Sequence, residues 1–209
     1  MAQWTHHDIR LGYVPRPLQQ PHPPIAITAM SPNSASLAFA GRRGYLPVTA
    51  NFIATWSART HWPTYAAAAR AAGHTPNPDD WRVARSVFVA ASDAEAEAFV
   101  KTSNAAYDYY YQYLFKIFDR SNYKAPFVAQ AGDNPDALTP EAVRDACVIH
   151  GSPDTVARKL LALRDEIGPF GTLLYAAHDW LDAAAMKNSM RLMATEVMPR
   201  VNRALAKAA

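Results

Sequence analysis

Short apolar runs alternate with segments of helical periodicity along most of this 209-residue chain. Runs rich in apolar and β-branched residues predict strands, and segments with apolar positions three and four residues apart predict helices. The strands are predicted at 25–30, 45–53, 81–90 and 170–177, and the helices after Ser31, over 59–72, after Ser92, over 105–118, from Gly151 to Gly168, and at the C-terminus. Strands and helices thus alternate, except that three predicted helices follow the strand at 81–90.

This alternation favours an α/β protein with parallel strands joined by right-handed crossovers. Four such units make half of an eight-stranded TIM barrel, whose usual length is about 250 residues. We therefore expect a single domain over residues 1–209, built as a partial (β/α)8 barrel with roughly its last four β/α units. A small open, doubly wound sheet also fits the pattern.

Two segments interrupt the alternation. Residues 1–24 end in a proline-rich stretch, and each proline biases its predecessor away from helix, so this segment is predicted to be an extended lead-in. Residues 119–138 are polar, with Gly and Pro, and are predicted to form a long surface loop.

Capping residues give the helix ends. Ser31 is predicted as an N-cap with Pro32 at the first helical position, and Gly41 and Gly44 as the end of that helix. Ser92, with Glu95 three residues later, is predicted to open a helix through a capping box.

Composition narrows the class of protein. The net charge is +3 and the basic residues are scattered, which argues against nucleic acid as the main partner. No run approaches the roughly 18–20 apolar residues of a membrane span, so a cytoplasmic protein is expected. The single cysteine, Cys147, excludes an internal disulfide, and its apolar neighbours predict a buried structural thiol.

The first candidate site is the Ser31–Ser34 turn, between a predicted strand and a predicted helix. Ser31 and Ser34 bring two hydroxyls and free backbone N–H groups to the positive end of a helix, which suits a phosphate dianion. A plain helix cap is the alternative. Ser152 opens a similar turn, but Asp154 already supplies negative charge there, so that turn is interpreted as structural.

The second candidate lies at the last predicted strand, where Tyr175 precedes His178, Asp179 and Trp180. His178 and Asp179 have proton-transfer side chains, and Trp180 has a flat ring for covering a ligand. A loop turn and helix cap is the alternative interpretation. The aromatic residues over 105–118 predict a core face or, alternatively, a pocket wall. The chain has no P-loop, dinucleotide fingerprint, metal-ligand spacing or Gly-x-Ser-x-Gly elbow.

Together these segments resemble the luciferase-like flavin monooxygenase family. The resemblance rests on the order and spacing of several weak motifs across nearly the whole chain. They are Arg16–Ile25, Ser31-Pro32-Asn33-Ser34 leading to Ala40–Gly44, Gly151-Ser152-Pro153, Gly168–Leu173 followed by His178-Asp179-Trp180, and Glu196–Arg200.

The resemblance implies a TIM barrel, reduced FMN supplied by a separate flavin reductase, and transfer of one oxygen atom from O₂ to a small organic substrate. It implies that Ser31 and Ser34 hold the flavin phosphate, with Ala29 and Met30 close to the flavin. Tyr175, His178 and Trp180 are weaker candidates for the pocket wall. F420-dependent oxidoreductases share the layout, so F420 is the alternative cofactor. A non-catalytic flavin-binding or structural partner is the alternative function.

The resemblance begins near the family's fifth strand, so the catalytic residues are expected in an N-terminal half that this sequence does not contain. A half barrel exposes sheet edges and an apolar inner face, which folded proteins avoid. We expect a fragment of a longer enzyme, a half barrel that pairs into a homo-oligomer, or a degenerate paralogue, with the fragment favoured.

Overall fold

The computed structural model describes residues 17–178 and 181–208. The strands are β1 (Ala26–Ala29), β2 (Leu46–Thr49), β3 (Arg82–Val89), β4 (Val148–Gly151) and β5 (Thr172–Ala176). The helices are α1 (Ala35–Arg43), α2 (Thr55–Ala58), α3 (His61–Ala71), α4 (Asp93–Lys101), α5 (Ala106–Arg120), α6 (Pro140–Cys147), α7 (Pro153–Ile167), α8 (Ala183–Leu192) and α9 (Met198–Ala208), with a π-helical turn, Met193–Val197, joining α8 to α9. Residues 1–16 of the lead-in lie outside the described residues.

The strand pairs among the described residues are parallel, and β3 is the central strand, which pairs with three others. Arg82 and Val83 pair with both β2 and β5, so these two strands lie on opposite edges of β3. Ser86 pairs with both β4 and β5, so β4 shares the β2 edge. β1 pairs with β2. The expected α/β fold with parallel β/α units is confirmed.

Alternation along the paired strands gives the sheet two different faces. On one face, Ala29, Thr49, Val83 and Leu173 lie in register and are covered by helices. The other face stays exposed or partly exposed, and we call it the open face. Its residues are Ala26, Thr28, Leu46, Val48, Arg82, Ala84, Thr172 and Leu174.

The largest buried cluster contains the aromatic residues Trp81, Tyr107, Tyr111 and Phe127. Two further packing regions lie on the helix-covered face. α1 lies against α3, where Gly41 allows close approach, because a Cβ there would lie 2.5 Å from the Tyr65 carbonyl oxygen. Val87 and Val89 pack against α7 and the C-terminal helices. Gly44 ends α1 with a left-handed φ of 67°, and Gly41 lies inside the helix rather than at its end as the sequence predicts.

The start of α1 also differs from the prediction. Ser34, not Ser31, is the N-cap, and the helix begins at Ala35. Thr60 accepts a hydrogen bond from the Asn33 backbone N–H at 2.7 Å, and Asn33 adopts a left-handed φ of 50°. These tertiary contacts hold residues 31–33 in a turn and so delay the helix, overriding the local Ser-Pro start signal.

Other differences have similar tertiary causes. The second strand stops at Thr49 because Asn51 turns away to bond Ser86 of β3. α2, α6 and β4 are not predicted, since their short apolar runs give no clear period. Along the C-terminal helices Met186 and Met193 are buried, whereas Met190 is 44% exposed. Residues 119–138 contain two short 3₁₀ turns, Ala125–Phe127 and Pro135–Ala137, and Phe127 of the first is fully buried.

A buried ion pair ties α5 to α6. Arg144 donates to Asp108 at 2.9 Å, and the two side chains are only 6% and 7% exposed. Asp108 also accepts from the Asn104 backbone N–H and from Gln112. Removing one partner leaves a buried charge with fewer hydrogen bonds.

Within the described ranges, no helix is long and apolar enough to cross a membrane.

We expect Arg144→Met to lower the free energy of unfolding by about 3–5 kcal/mol, because the Asp108 carboxylate loses its buried counter-charge. Urea unfolding of the full chain measures the effect. Lys101→Met in the exposed Lys101–Glu97 pair is the matched control and should cost less than about 1 kcal/mol. Equal losses for the two variants would contradict the assignment.

Candidate functional site

The turn between β1 and α1 lies at the carboxyl end of β1. Its helix has no acidic residue in the first turn, and the Ser34 side chain makes no capping bond. The N–H groups of Ala35 and Ser36, at the first two helical positions, therefore have no intrahelical acceptor and point along the helix axis. This end of the molecule offers backbone donors and positive dipole to an anion.

The hydroxyls of Ser34 and Ser36 lie side by side at this turn. Ser36 donates to the Thr28 carbonyl at 3.1 Å, so the Ser34 hydroxyl, 2.9 Å from that of Ser36, acts as the donor between them. Ser34 is 5% exposed and Ser31 is partly buried. Ser36 is a residue that the sequence analysis missed.

A chain of hydrogen bonds anchors the turn to the core. Trp81 Nε1 donates to Thr49 Oγ1 at 3.0 Å, and Thr49 Oγ1 lies 2.9 Å from Nδ1 of His61. Nε2 of His61 lies 3.0 Å from the Ser31 carbonyl oxygen, which only accepts. His61 is therefore protonated on Nε2 and accepts from Thr49 on Nδ1. We call this chain the anchor relay.

The start of α7 differs from that of α1. Ser152 accepts from the Thr155 N–H, and Asp93 accepts from both the Ser152 N–H and the Thr155 hydroxyl. Asp154 adds a second carboxylate to the first turn. These donors are already satisfied by Asp93 and by the Ser152 hydroxyl, in line with the structural interpretation of this turn.

A second polar group lies beyond the carboxyl ends of β2 and β5, beside the middle of β3. Ser86 Oγ lies 2.7 Å from Nε2 of His178 and 3.0 Å from Tyr111 Oη, and it accepts from Asn51 Nδ2 at 3.0 Å. Tyr110 Oη lies 3.3 Å from the same Asn51 nitrogen. We call Ser86, His178, Tyr111, Asn51 and Tyr110 the Ser86 cluster.

Aromatic rings fix the imidazole of His178. Tyr110 lies over it with ring centroids 4.1 Å apart, and Tyr107 meets it edge-on at 4.8 Å. Burial lowers the pKa of His178 to about 4, so the ring is neutral near pH 7. Burial also raises the pKa of Tyr111 well above its usual value, which keeps its hydroxyl protonated.

The two candidate regions share one end of the sheet, because the carboxyl ends of parallel strands lie together. Ser86 pairs with Ala176, two residues beyond the pair Ala84 and Leu174, and therefore lies on the same side of the sheet as the open face. At this end of the sheet that side is covered, and Ser86 is buried. His178 follows Ala176 by two residues and reaches the same side through its contact with Ser86.

Of the other predicted site residues, Tyr175 lies on the opposite face. It is in register with Arg85, packs against the C-terminal helices and lies 2.9 Å from the Ser189 hydroxyl. The structure therefore does not bring Tyr175 together with His178, because alternate residues of a strand point to opposite faces. Trp180 and Asp179 lie outside the described residues.

Ala29 and Met30 lie at the end of β1 beside the turn. Ala29 is buried, and its carbonyl accepts from the Ala50 N–H, while Met30 is 46% exposed. The structure thus leaves Met30, but not the Ala29 side chain, accessible at this end of the sheet.

Arg85 is a buried cation behind the site. Its guanidinium donates to the backbone carbonyls of Ala50, just after β2, and Ala84 of β3. Cys147 is buried near it as predicted, and burial raises the pKa of the thiol to about 12, which disfavours the reactive thiolate.

Among the described residues, no group of three or more His, Cys, Asp or Glu side chains is placed to hold a metal ion.

Sequence reasoning missed most of the Ser86 cluster and the anchor relay. Ser86, Asn51 and His61 are single polar residues in or beside apolar runs, with no local motif around them. Ser86 and His178 are 92 residues apart in sequence. One sequence signal was available: His178 directly follows a predicted strand, where parallel folds collect functional residues, and Asn51 is a polar residue near the end of another.

The buried His61 should make stability depend on pH. Burial lowers its pKa from 6.5 to about 4, so the unfolded chain binds the proton more readily between these values, and stability falls as pH drops through this range. We expect this residue to account for about 2–3 kcal/mol of the loss between pH 7 and pH 4.5.

Urea unfolding at a series of pH values measures this contribution. His61→Gln should show a shallower loss of stability on acidification than the original chain. Thr64→Val, a non-titrating change on the same helix, should keep the original slope. Identical slopes for His61→Gln and the original chain would rule out the assignment.

Comparison with known proteins places these features in a family. A family model described as luciferase-like monooxygenase matches residues 4–169. The 3,6-diketocamphane 1,6-monooxygenase of Pseudomonas putida is 36% identical over 180 residues, which are 86% of this chain and 47% of the relative. The 2,5-diketocamphane 1,2-monooxygenase 2 of the same species is 34% identical, over 85% of this chain and 49% of the relative.

The solved structures agree. The oxygenating constituent of the P. putida 3,6-diketocamphane monooxygenase, described as a type II Baeyer–Villiger monooxygenase in complex with FMN, matches with a TM-score of 0.75 over 86% of this chain and 49% of that one. The chain thus spans about half the length of the relatives it matches, which fits the expected partial barrel. On the sequence, the sheet and these matches together, this chain belongs to the luciferase-like monooxygenase family.

Proposed function

We propose that this chain acts in a flavin-dependent monooxygenase that uses reduced FMN and O₂ to oxygenate a small organic substrate. Reduced FMN supplies two electrons, one oxygen atom enters the substrate, and the other leaves as water. Family membership and the FMN complex of a relative support this function.

The observation that carries the proposal is the start of α1. Its first-turn amides face an end of the helix with no acidic side chain. Ser31 and Ser34 belong to the turn before this helix, and the Ser34 hydroxyl can rotate its proton from Ser36 toward an anion. These groups fit a phosphate, which needs several donors and favours the positive end of a helix. We propose that Ser31 and Ser34 hold the FMN phosphate, while Ala29 and Met30 border the flavin.

The Ser86 cluster supports an uncharged substrate. Its side chains are neutral near pH 7, and its surroundings are aromatic. Two of the relatives are named for diketocamphanes, which are bicyclic diketones. We propose that the substrate is an apolar carbonyl compound and that His178 and Trp180 line its pocket. Tyr175 lies on the opposite, helix-covered face of the sheet and is left out of this pocket.

We further propose that the chain forms one domain, works in the cytoplasm, and receives reduced FMN from a separate reductase. The anchor relay would then hold the phosphate turn rigid against the core. In this arrangement the chain itself binds and orients the flavin, and the reductase supplies the electrons.

FMN titration tests the phosphate assignment. FMN should bind more tightly than riboflavin, which lacks the phosphate. Ser31→Ala/Ser34→Ala should lower FMN affinity about tenfold or more and leave riboflavin affinity unchanged, because charge-assisted hydrogen bonds to the phosphate are lost. Isothermal titration or fluorescence quenching measures both affinities.

Two variants sharpen this test. Ala35→Asp adds a carboxylate to the first turn of α1 and should also weaken FMN but not riboflavin. Ser152→Ala removes a comparable cap from α7 and should leave FMN affinity unchanged. Equal affinity for FMN and riboflavin in the original chain would refute the phosphate site. Turnover with F420 instead of FMN, reductase and O₂ would assign the alternative hydride chemistry.

The open face underlies our proposal of a homo-oligomer. Among the described strands, β1 pairs only with β2 and β5 only with β3, so each has a further edge for pairing. Leu174 is 37% exposed on the open face, beside partly exposed aliphatic residues. A second copy related by an axis along the strands would cover this face and pair these edges.

Sedimentation velocity tests the homo-oligomer. The chain should sediment as a dimer, and Leu174→Asp should shift it to a monomer by placing a charge in the shared core. Asp165→Asn on the exposed side of α7 should not change the state. A monomer in the original chain would exclude pairing through the open face.

A further inference from the structure

The Ser86 hydroxyl has three neighbours, and its single proton can go to only one of them. Asn51 faces it with the amide nitrogen, so Ser86 accepts that bond. The remaining neighbours are the hydroxyl of Tyr111 and Nε2 of His178. Ser86 donates to one of these two and accepts from the other.

Burial of Tyr111 decides between the two arrangements. Tyr111 is 1% exposed, and Ser86 is the partner of its hydroxyl among the described residues. If Ser86 donated to Tyr111, the phenolic proton would be buried without an acceptor, at a cost of about 1–3 kcal/mol. The favourable arrangement has Tyr111 donating to Ser86 and Ser86 donating to Nε2 of His178.

This arrangement fixes the tautomer of His178. Nε2 accepts, so the proton of the neutral ring is on Nδ1, the opposite of His61 in the anchor relay. Tyr110 and Tyr107 hold the ring plane, so the Nδ1–H direction is fixed as well. The cluster therefore contains an uncharged donor of defined direction just beyond the carboxyl end of β5.

We propose that His178 binds the carbonyl oxygen of an uncharged ketone substrate through Nδ1–H, with Ser86 as the positioning residue that fixes the tautomer. This inference rests on the proposed monooxygenase function. The neutral cluster selects against a charged substrate, and its aromatic rings suit an apolar skeleton. A donor at the carbonyl oxygen also polarises the carbon that receives oxygen.

Nuclear magnetic resonance tests the tautomer without any cofactor. Long-range ¹H–¹⁵N correlation spectra of the ¹⁵N-histidine-labelled chain at pH 7 should show the neutral Nδ1–H pattern for His178. His61 should show the Nε2–H pattern and serves as the internal reference. Loss of each signal in His178→Gln and His61→Gln assigns it.

Ser86→Ala gives the second arm of this experiment. Without the donated proton, His178 should move toward Nε2–H, the form that predominates for the neutral histidine side chain in water. An Nε2–H or charged His178 in the original chain would overturn the proposal. An Nδ1–H form that persists in Ser86→Ala would overturn the positioning role of Ser86.

Ligand binding to the FMN-loaded chain tests the ketone assignment. Camphor and bornane share one skeleton and differ by the carbonyl oxygen. The original chain should bind camphor about tenfold more tightly than bornane. In His178→Phe this preference should disappear while FMN affinity is unchanged, and His74→Gln on the surface should keep it.

The possible outcomes separate this inference from the proposed function. Loss of the camphor preference with FMN binding intact supports the role of His178. A preference that survives in both His178→Phe and Ser86→Ala overturns it, even if FMN binds as proposed. Failure of the original chain to bind FMN would refute the proposed function instead, and the spectra would still decide the tautomer.

Discussion

The two-sided hydrogen bonding of β3 is the constraint on which the rest of the structure depends. Because β2 and β4 share one edge and β5 takes the other, the facing of every side chain on β3 is fixed by register. Val83, Val87 and Val89 are thereby committed to the helices, and Ser86 to the opposite side. A shift of β3 by one residue would turn Val83, Val87 and Val89 away from the helices and turn Ser86 toward them.

Two histidines at the carboxyl end of the sheet show how the same side chain makes opposite hydrogen bonds. His61 donates from Nε2 to the Ser31 carbonyl and connects the Ser31–Ser34 turn with Trp81 in the core. His178 accepts at Nε2 from Ser86 and lies among tyrosine rings. Burial lowers the pKa of each ring to about 4, so both act as neutral hydrogen-bond groups and not as charges.

The proposed anion site at α1 rests on what its first turn lacks as much as on what it contains. α4, α6 and α7 each carry acidic residues in their first turns, and Asp93 also accepts from the start of α7. α1 has none. Serine caps alone therefore do not distinguish these helices, while the placement of carboxylates around them does.

The sequence by itself determined features whose physical causes are local. β3 was predicted over 81–90 and found at Arg82–Val89, and the start and end of α7 at Ser152 and Gly168 were both predicted. Capping bonds and left-handed glycines act within a few residues, so a local pattern is enough to locate them. The alternation of strands and helices likewise indicated a parallel sheet.

Only the tertiary structure decided the features that depend on distant partners. The start of α1 moved from Ser31 to Ser34 because Thr60 and His61, on another helix, bond residues 31–33. Asn51, Ser86 and His178 meet because their strands are parallel neighbours, and alternation separates Tyr175 from them. Such contacts leave no periodic trace in sequence, since each depends on register between segments tens of residues apart.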